Sequence, residues 1–289
     1  MNTRPRRSAL YMPGANDRAL AKARTLPADV IIMDLEDAVA PEAKAEARTR
    51  VAQALAAGGY GSRELVVRVN GLDTPWGADD LAAVAGMPAR AVLLPKVEDG
   101  PQLRETIRRL DQAGGGHLPV WVMAELPQAI LAIEAIAGLA PRVAAIVMGT
   151  ADLGRALRLP ADPVRTGLLG ALGQCLLAAR ARGLDILDGV FPDLRDEAGL
   201  RAECRQGKAL GFDGKTLIHP GQIAAANEIF GVSAEEAAAA ERLLTAWESA
   251  AARGQGIAVL DGRMVERLHA EEARRLLALH RAGSVPADQ

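Results

Sequence analysis

One stretch of the chain, residues 65–70, reads Leu65-Val66-Val67-Arg68-Val69-Asn70. It is short and rich in β-branched residues, which is typical of a buried β-strand. Seven other apolar runs of similar length recur along the chain, at residues 8–12, 30–35, 91–94, 120–124, 144–148, 185–190 and 215–218. The sequence therefore predicts eight strands.

Segments with helical periodicity, rich in Ala, Leu, Arg and Glu, lie between these runs. Examples are residues 41–57, 102–112, 127–139, 165–182 and 194–210. Such alternation predicts an α/β fold with parallel strands joined by crossover helices, and eight units in about 220 residues favour a closed (β/α)8 TIM barrel. No G-x-G-x-x-G follows the first strand, so an open dinucleotide-binding sheet loses its main support.

The pattern changes after Phe230. Residues 233–253 predict a helix with Ser233 as N-cap and Glu236 at the capping-box position. Residues 256–266 predict a hairpin around Asp261-Gly262, and residues 269–280 a further helix. We expect a barrel over residues 1–230 and a C-terminal lid or oligomerisation segment over residues 231–289, with a loose tail at 283–289.

The composition argues against several classes of protein. Lys and Arg total 34 against 36 Asp and Glu, a formal charge of -2, so the basic excess of a nucleic-acid-binding protein is missing. Arg4, Arg6 and Arg7 precede no apolar run, so we expect no signal peptide or membrane anchor and a cytoplasmic location. Cys175 and Cys204 have no CxxC spacing and no nearby His, which predicts ordinary packing residues.

Polar residues follow most of the predicted strands. In barrels of this kind, active-site groups lie at the carboxyl ends of the strands. The residues at those ends are Asp34, Glu36, Asp37, Arg68, Asn70, Lys96, Glu125, Asp152 and His219. We expect most of them on one face of the molecule.

Arg68 lies within an apolar strand. Alternation places it on the same face as Val66 and Asn70. Because a charged side chain inside a barrel needs a partner, one interpretation is a structural ion pair with Glu36 or Asp37. The other is a guanidinium that binds a carboxylate or a developing enolate oxygen.

Glu125 and Asp152 follow neighbouring predicted strands, whose axes lie ~5 Å apart. Two carboxylates this close repel each other unless a positive charge lies between them. Oxygen ligands without His or Cys suit Mg²⁺, which takes one or two carboxylates. The alternative is structural, with Glu125 accepting backbone hydrogen bonds as Pro127 begins a helix and Asp152 capping a turn.

Two basic residues at strand ends have simpler explanations. Lys96 follows the fourth strand, where a lysine is usually solvated or paired, although a Schiff-base role is known in barrel aldolases. His219 precedes Pro220 and is expected to open the last barrel helix with a local hydrogen bond.

Six segments carry a further signal in their order and residue types. They are Leu10-Tyr11-Met12-Pro13-Gly14, Ile32-Met33-Asp34-Leu35-Glu36-Asp37-Ala38-Val39, Val67-Arg68-Val69-Asn70-Gly71, Leu94-Pro95-Lys96-Val97-Glu98, Gly149-Thr150-Ala151-Asp152-Leu153, and Gly211-Phe212-Asp213-Gly214-Lys215 with Ile218-His219-Pro220. Together they span nearly the whole chain. It resembles the citrate lyase β-subunit-like proteins of the HpcH/HpaI aldolase/citrate lyase group, which include malyl-CoA and citramalyl-CoA lyases.

The resemblance implies roles for several residues. Glu125 and Asp152 would bind Mg²⁺ and contact the substrate, and Arg68 would hold the substrate carbonyl or enolate oxygen. Arg18 and Lys22 would lie near the phosphates of CoA or of an acyl carrier. Glu36 and Asp37 are expected to support Arg68. The family also implies a homotrimer or homohexamer in which the C-terminal segment of one subunit covers the site of its neighbour.

Two segments depart from the family pattern. CoA-dependent members usually have D-G-x-M-V-D-x-P, with the second Asp as general acid/base, whereas this chain has Glu266 at that position. A carboxyl group displaced by ~1 Å can lower a rate on the order of 10²-fold. The metal-binding Glu usually lies in I-E-T-x-x-G, whereas here Glu125 is followed by Leu126 and Pro127. Both departures bear on substrate identity.

The resemblance implies a Mg²⁺-dependent carbon–carbon lyase. Its substrate would be a 3-hydroxyacyl-CoA such as malyl-CoA, methylmalyl-CoA or citramalyl-CoA, cleaved to or formed from an acyl-CoA and a small 2-oxo acid by a retro-Claisen/aldol mechanism, with Glu266 of a neighbouring subunit as the proton donor. Two alternatives stay open. One is a citrate lyase β-type subunit acting on an acyl-carrier-protein thioester in a complex, and the other is an acyl-CoA thioesterase that uses the same metal site.

Overall fold

Eight parallel strands form a closed barrel in the computed structural model, which describes residues 4–283. Each strand pairs with its sequence neighbours, and the first strand pairs with the eighth. They are β1 (Ser8–Pro13), β2 (Val30–Asp34), β3 (Glu64–Arg68), β4 (Ala91–Leu94), β5 (Val120–Ala124), β6 (Val143–Met148), β7 (Asp185–Asp188) and β8 (Gly214–Leu217). The predicted (β/α)8 barrel is confirmed, and each predicted strand overlaps an observed one.

Helices connect the strands and cover the outside of the barrel. They are α1 (Asp17–Ala23), α2 (Lys44–Ala57), α3 (Gly77–Ala85), α4 (Gly100–Leu110), α5 (Pro127–Leu131), α6 (Ile133–Ala137), α7 (Thr150–Ala156), α8 (Leu169–Ala181), α9 (Glu197–Leu210) and α10 (Ile223–Phe230). The helix predicted over residues 127–139 is two helices, because the backbone leaves helical geometry at Ala132 (φ -98°, ψ 8°). Beside this break, Gln174 of α8 donates Nε2 to the Ile130 carbonyl at 2.9 Å.

The helix predicted from residue 165 also begins later than expected. Arg165 has a left-handed backbone (φ 52°), and after a short 3₁₀ turn α8 starts at Leu169. The buried Arg165 guanidinium donates Nη1 to Asp188 at 2.8 Å, and Asp188 also pairs with the fully buried Lys215 at 3.1 Å. This tertiary ion pair fixes Arg165 in a conformation that its helical periodicity does not predict.

Apolar side chains fill the interior of the barrel and confirm the alternation along the strands. The buried group includes Val66, Leu93, Trp121 and Val147, one from each of four strands. The Arg6 guanidinium lies 4.6 Å from the centre of the Trp121 ring. Arg6 also makes two 2.7 Å hydrogen bonds to Glu64 and pairs with Asp185, all at the amino-terminal ends of their strands. These ion pairs close that end of the barrel.

A C-terminal extension follows the barrel. It comprises α11 (Ala234–Ala252), a hairpin of β9 (Ala258–Leu260) and β10 (Arg263–Val265), and α12 (Arg267–Gly283). The predicted capping box of Ser233 and Glu236 is present. The hairpin turns at Asp261 and Gly262, whose φ values are 51° and 74°, as predicted. The tail expected to be loose lies outside the described residues, apart from Gly283.

The extension is anchored at the amino-terminal end of the barrel. Arg7, just before β1, donates to the Gly283 carbonyl at 3.4 Å, and Lys208 of α9 pairs with Glu236 at 3.2 Å. The two long helices run antiparallel, because His280 near the end of α12 lies 2.8 Å from the Val232 carbonyl just before α11. Across residues 4–283, no helix combines the length and apolarity that crossing a membrane requires.

Candidate active site

The predicted polar residues cluster at the carboxyl end of the barrel. Asp34 and Arg68 are the last residues of β2 and β3, and they are direct neighbours in the strand register. Lys96 and Glu125 follow β4 and β5 within two residues, and Asp152 lies in the first turn of α7 just after β6. The expectation that these groups share one end of the barrel is confirmed.

Arg68 is held by three carboxylates. Its Nε and Nη2 donate to the two oxygens of Asp34 at 2.7 and 2.6 Å. Its Nη1 lies 2.9 Å from Glu36 and 3.4 Å from Asp37. The predicted ion pairs with Glu36 and Asp37 form, but the principal partner is Asp34, which we did not predict. The register would have indicated it, because Asp34 lies opposite Arg68 on the inward face.

The guanidinium of Arg68 is also packed against the interior of the barrel. Its Cζ lies 4.7 Å from the centre of the Tyr11 ring, and its Nη1 contacts the Met123 sulfur at 3.7 Å. Asp34 occupies Nε and one Nη2 hydrogen, which leaves the second Nη2 hydrogen to donate to a further group. The arrangement therefore combines a fixed cation with an available donor.

Glu36 is the titratable group most strongly affected by this arrangement. Burial disfavours its charged form and raises its pKa to about 7, although the Arg68 guanidinium opposes the shift. The negative charges of Asp37 and Glu125 also raise the pKa. A carboxyl group that titrates near neutral pH is common at active sites and less common at structural ion pairs.

Glu125 is buried and its carboxylate is fixed by the backbone of the adjacent strand end. Its Oε1 accepts the Lys96 backbone N–H at 2.7 Å. Burial raises the pKa of Glu125, and the hydrogen bond and the charge of Lys96 oppose that shift. Gly149 is required beside it, because a Cβ there would lie 2.2 Å from the Glu125 Cβ. The structural alternative placed this hydrogen bond at the helix that Pro127 begins, whereas the donor belongs to Lys96.

The ammonium of Lys96 lies between the two carboxylates. It pairs with Asp152 Oδ2 and lies 3.4 Å from Glu125 Oε1. The prediction that Lys96 is paired is therefore confirmed. Its backbone has a positive φ of 50°, which a residue other than glycine adopts only when its surroundings impose it. The site thus contains the positive charge that two adjacent carboxylates require.

Asp152 faces cations on both sides. Its Oδ1 accepts from Arg155 Nη2 at 3.1 Å, and the Arg155 side chain is 82% exposed. The α7 helix has no side-chain hydrogen bond at its N-cap, so Asp152 does not cap the turn as the structural alternative proposed. Sequence reasoning missed Arg155, although its spacing of three residues from Asp152 on a helix could have indicated it.

The oxygens of Glu125 and Asp152 fit a hard divalent cation. Both carboxylates converge on one position, which the Lys96 ammonium occupies. No group of three or more His, Cys, Asp or Glu within residues 4–283 is arranged to bind a metal. A donor set limited to two carboxylates suits Mg²⁺, which leaves its other positions to water and substrate.

The remaining predicted residues lie in other segments of the chain. Arg18 and Lys22 are exposed on α1, one helical turn apart, in the segment that follows β1. His219 accepts the Gly221 N–H at 3.0 Å and begins a 3₁₀ turn, as predicted. Cys175 and Cys204 are buried and unpaired, as expected.

Glu266 belongs to the C-terminal extension. It is half-buried just before α12, and its backbone N–H donates to His269 Nδ1 at 3.0 Å. The extension is anchored at the opposite end of the barrel from Arg68 and Glu125. The proton-donor role of Glu266 stays a prediction.

Comparison with known proteins agrees with this geometry. Residues 7–220 match the HpcH/HpaI aldolase/citrate lyase family. The chain belongs to this family. The resemblance to citrate lyase β-subunit-like proteins is thereby confirmed, and the chain is an enzyme of a carbon–carbon lyase family.

Three relatives of this HpcH/HpaI family member span nearly its full length. The chain is 48% identical over 274 residues to a (3S)-malyl-CoA thioesterase of Cereibacter sphaeroides, and the match covers 95% of this chain and 94% of the relative. It is 35% identical over 292 residues to an L-malyl-CoA/beta-methylmalyl-CoA lyase of that organism, covering 91% of each. The crystal structure of CitE from Mycobacterium tuberculosis with magnesium, acetoacetate and coenzyme A superposes with a TM-score of 0.77 at 30% identity, over 98% of this chain and 100% of that one.

The raised pKa of Glu36 predicts a pH dependence of stability for this HpcH/HpaI family enzyme. Because the folded pKa of about 7 exceeds the reference value of 4.5, the folded protein binds more protons than the unfolded chain between these values. The free energy of unfolding therefore falls as the pH rises through this window. In metal-free buffer, Glu36→Gln should flatten this fall, measured by urea unfolding between pH 5 and pH 8.

The control for this measurement is Glu228→Gln. The Glu228 side chain is 64% exposed, pairs with Arg201 and is not among the charges that act on Glu36, so its removal should leave the pH slope of the wild type. An unchanged slope in Glu36→Gln would show that Glu36 does not titrate in this range.

Proposed function

We propose that the enzyme binds Mg²⁺ through Glu125 and Asp152 and cleaves the carbon–carbon bond of a 3-hydroxyacyl-CoA of the malyl-CoA type, giving an acyl-CoA and a 2-oxo acid. One observation carries the proposal. The two carboxylates converge on a single cation position at the carboxyl end of the barrel, the end at which β3 terminates in Arg68. The M. tuberculosis relative, crystallised with magnesium, acetoacetate and coenzyme A, supports both the metal and the substrate class.

The chain's own residues divide the chemistry between them. When bound, Mg²⁺ would act as a Lewis acid on the oxygens of the acid fragment. Glu125 and Asp152 would position it, and the backbone N–H of Lys96 would orient Glu125. Arg68, fixed by Asp34, would donate its remaining Nη2 hydrogen to the enolate oxygen of the departing thioester. Arg18 and Lys22 are proposed to face the phosphates of CoA.

Thioester hydrolysis is a second candidate function. It is favoured by the 48% identity with the (3S)-malyl-CoA thioesterase, which exceeds the 35% identity with the lyase. Both reactions would use the same substrate class and the same metal position. They differ in whether the carbon–carbon bond or the carbon–sulfur bond is broken, so their products distinguish them.

Product analysis tests the function. With (3S)-malyl-CoA and Mg²⁺, cleavage should yield acetyl-CoA and glyoxylate, whereas hydrolysis should yield malate and free CoA. Mass spectrometry distinguishes the two pairs of products.

Arg68→Ala should lower kcat by ~10²–10³-fold, the usual cost of losing one oxyanion donor, while Mg²⁺ affinity changes far less. Asp152→Asn should instead abolish Mg²⁺ binding. Wild-type turnover in Arg68→Ala, or activity that survives complete removal of divalent cations, would contradict the proposal.

We also propose that the enzyme is a homotrimer or homohexamer in which Glu266 enters the site of a neighbouring subunit. The tip of the extension exposes four large apolar side chains, Ile257, Val259, Met264 and Leu268, which are 51–70% exposed. A cluster of exposed apolar residues is typical of a protein interface. A second copy is the partner that the family resemblance implies, and Glu266 lies within this cluster along the chain.

Mixing of inactive subunits tests this arrangement. Arg68→Ala and Glu266→Gln subunits should each have low activity alone. If Glu266 acts on a neighbour, mixed oligomers assembled at equal amounts should recover about a quarter of the wild-type activity, because that fraction of sites combines both intact residues. If the mixtures stay as inactive as the separate variants, Glu266 does not act in the site of a neighbouring subunit. A monomeric mass in light scattering would contradict the proposed oligomer.

A further inference from the structure

Lys96 occupies the position at which the two proposed metal ligands converge. Its ammonium pairs with Asp152 Oδ2 and lies 3.4 Å from Glu125 Oε1. The Lys96 side chain is 32% exposed, so the ammonium is partly removed from water. The same two oxygens cannot at once bind this ammonium and a divalent cation, because like charges at that separation repel strongly.

The backbone directs the ammonium into this position. Lys96 has a left-handed φ of 50°, its N–H donates to Glu125 at 2.7 Å, and its carbonyl accepts from Gln102 Nε2 at 3.3 Å. Gln102 also accepts the Glu98 N–H at 2.7 Å, which fixes the loop on its other side. A strained backbone persists only where its surroundings hold it. The loop therefore presents the lysine side chain to the two carboxylates.

Other cations contribute less to this position. Arg155 contacts Asp152 on its other oxygen, and its side chain is 82% exposed, so solvent screens much of its charge. Arg68 is paired with Asp34 and Glu36, so less of its charge is left to act on Glu125. Among the residues that the structure describes, Lys96 is thus the principal cation that compensates the repulsion between Glu125 and Asp152.

We propose that Lys96 is an internal counter-cation of the metal site, which holds Glu125 and Asp152 together before Mg²⁺ binds and is displaced when Mg²⁺ arrives. This rests on the proposed Mg²⁺ site. Lys96 is then a positioning residue that stabilises the metal-free enzyme and weakens its affinity for Mg²⁺. Removal of its charge has opposite effects on these two properties, which a merely structural lysine would not produce.

Lys96→Met tests the proposal, because methionine keeps an unbranched side chain without the charge. Isothermal titration calorimetry with MgCl₂ should show a Kd lower on the order of tenfold than that of the wild type, since a competing cation has been removed. The Tm of the metal-free variant should fall below that of the wild type. Saturating Mg²⁺ should raise its Tm by more than it raises the wild-type Tm. Lys96→Arg, which keeps the charge, should remain close to the wild-type Kd.

Lys208→Met is the matched control. Lys208 also pairs with one glutamate, Glu236, at 3.2 Å, and its side chain is 39% exposed, but it lies outside the metal site. The Mg²⁺ affinity of Lys208→Met should equal that of the wild type. If Lys96→Met binds Mg²⁺ no more tightly than the wild type, the inference about Lys96 is overturned and the metal site stands. If neither protein binds Mg²⁺, the proposed metal site fails and this inference fails with it.

Discussion

The repulsion between Glu125 and Asp152 is the constraint on which the site depends. The ends of β5 and β6 are adjacent in register, so the barrel itself brings these two carboxylates together. Gly149 allows the close approach, because any side chain there would meet Glu125. Two buried or half-buried carboxylates at this distance require a cation between them. Lys96 supplies it in the protein alone, and the same position suits a divalent ion.

The two ends of the barrel carry different kinds of charge pair. At the amino-terminal end, Arg6 is fully paired with Glu64 and Asp185 and covers the Trp121 ring. At the carboxyl end, Arg68 keeps a donor available and the pKa of Glu36 is raised to about 7. Saturated ion pairs at the first end stabilise the fold, whereas incompletely compensated groups at the other end are suited to chemistry. The apolar interior separates the two.

The fold and most of the site could be predicted from the sequence, because both follow from local patterns. Eight apolar runs alternating with helical segments predict the barrel, and the position of a residue at a strand end predicts that it faces the site. The capping box at Ser233 and the turn at Asp261 are determined by neighbouring residues, so their sequence signals are reliable. Asp34 ends β2 and Arg68 ends β3, so the matching positions of the two residues on neighbouring strands could have indicated that they pair.

What the sequence did not indicate depends on contacts between distant segments. The left-handed backbone of Arg165 reflects its ion pair with Asp188, 23 residues away. The direction of the Lys96 side chain depends on its backbone, whose N–H donates a hydrogen bond to Glu125, 29 residues away. Neither conformation follows from local periodicity. The proposed contribution of a second subunit to the site lies beyond any pattern within one chain.

The most direct test of the central claim is the anomalous scattering from crystals of the enzyme soaked with Mn²⁺ in place of Mg²⁺. We expect one peak at the carboxyl end of the barrel, about 2 Å from an oxygen of Glu125 and an oxygen of Asp152. The Lys96 ammonium should have moved away from both oxygens in the same crystals. A peak elsewhere, or an occupied site with Lys96 still between the two carboxylates, would contradict the account.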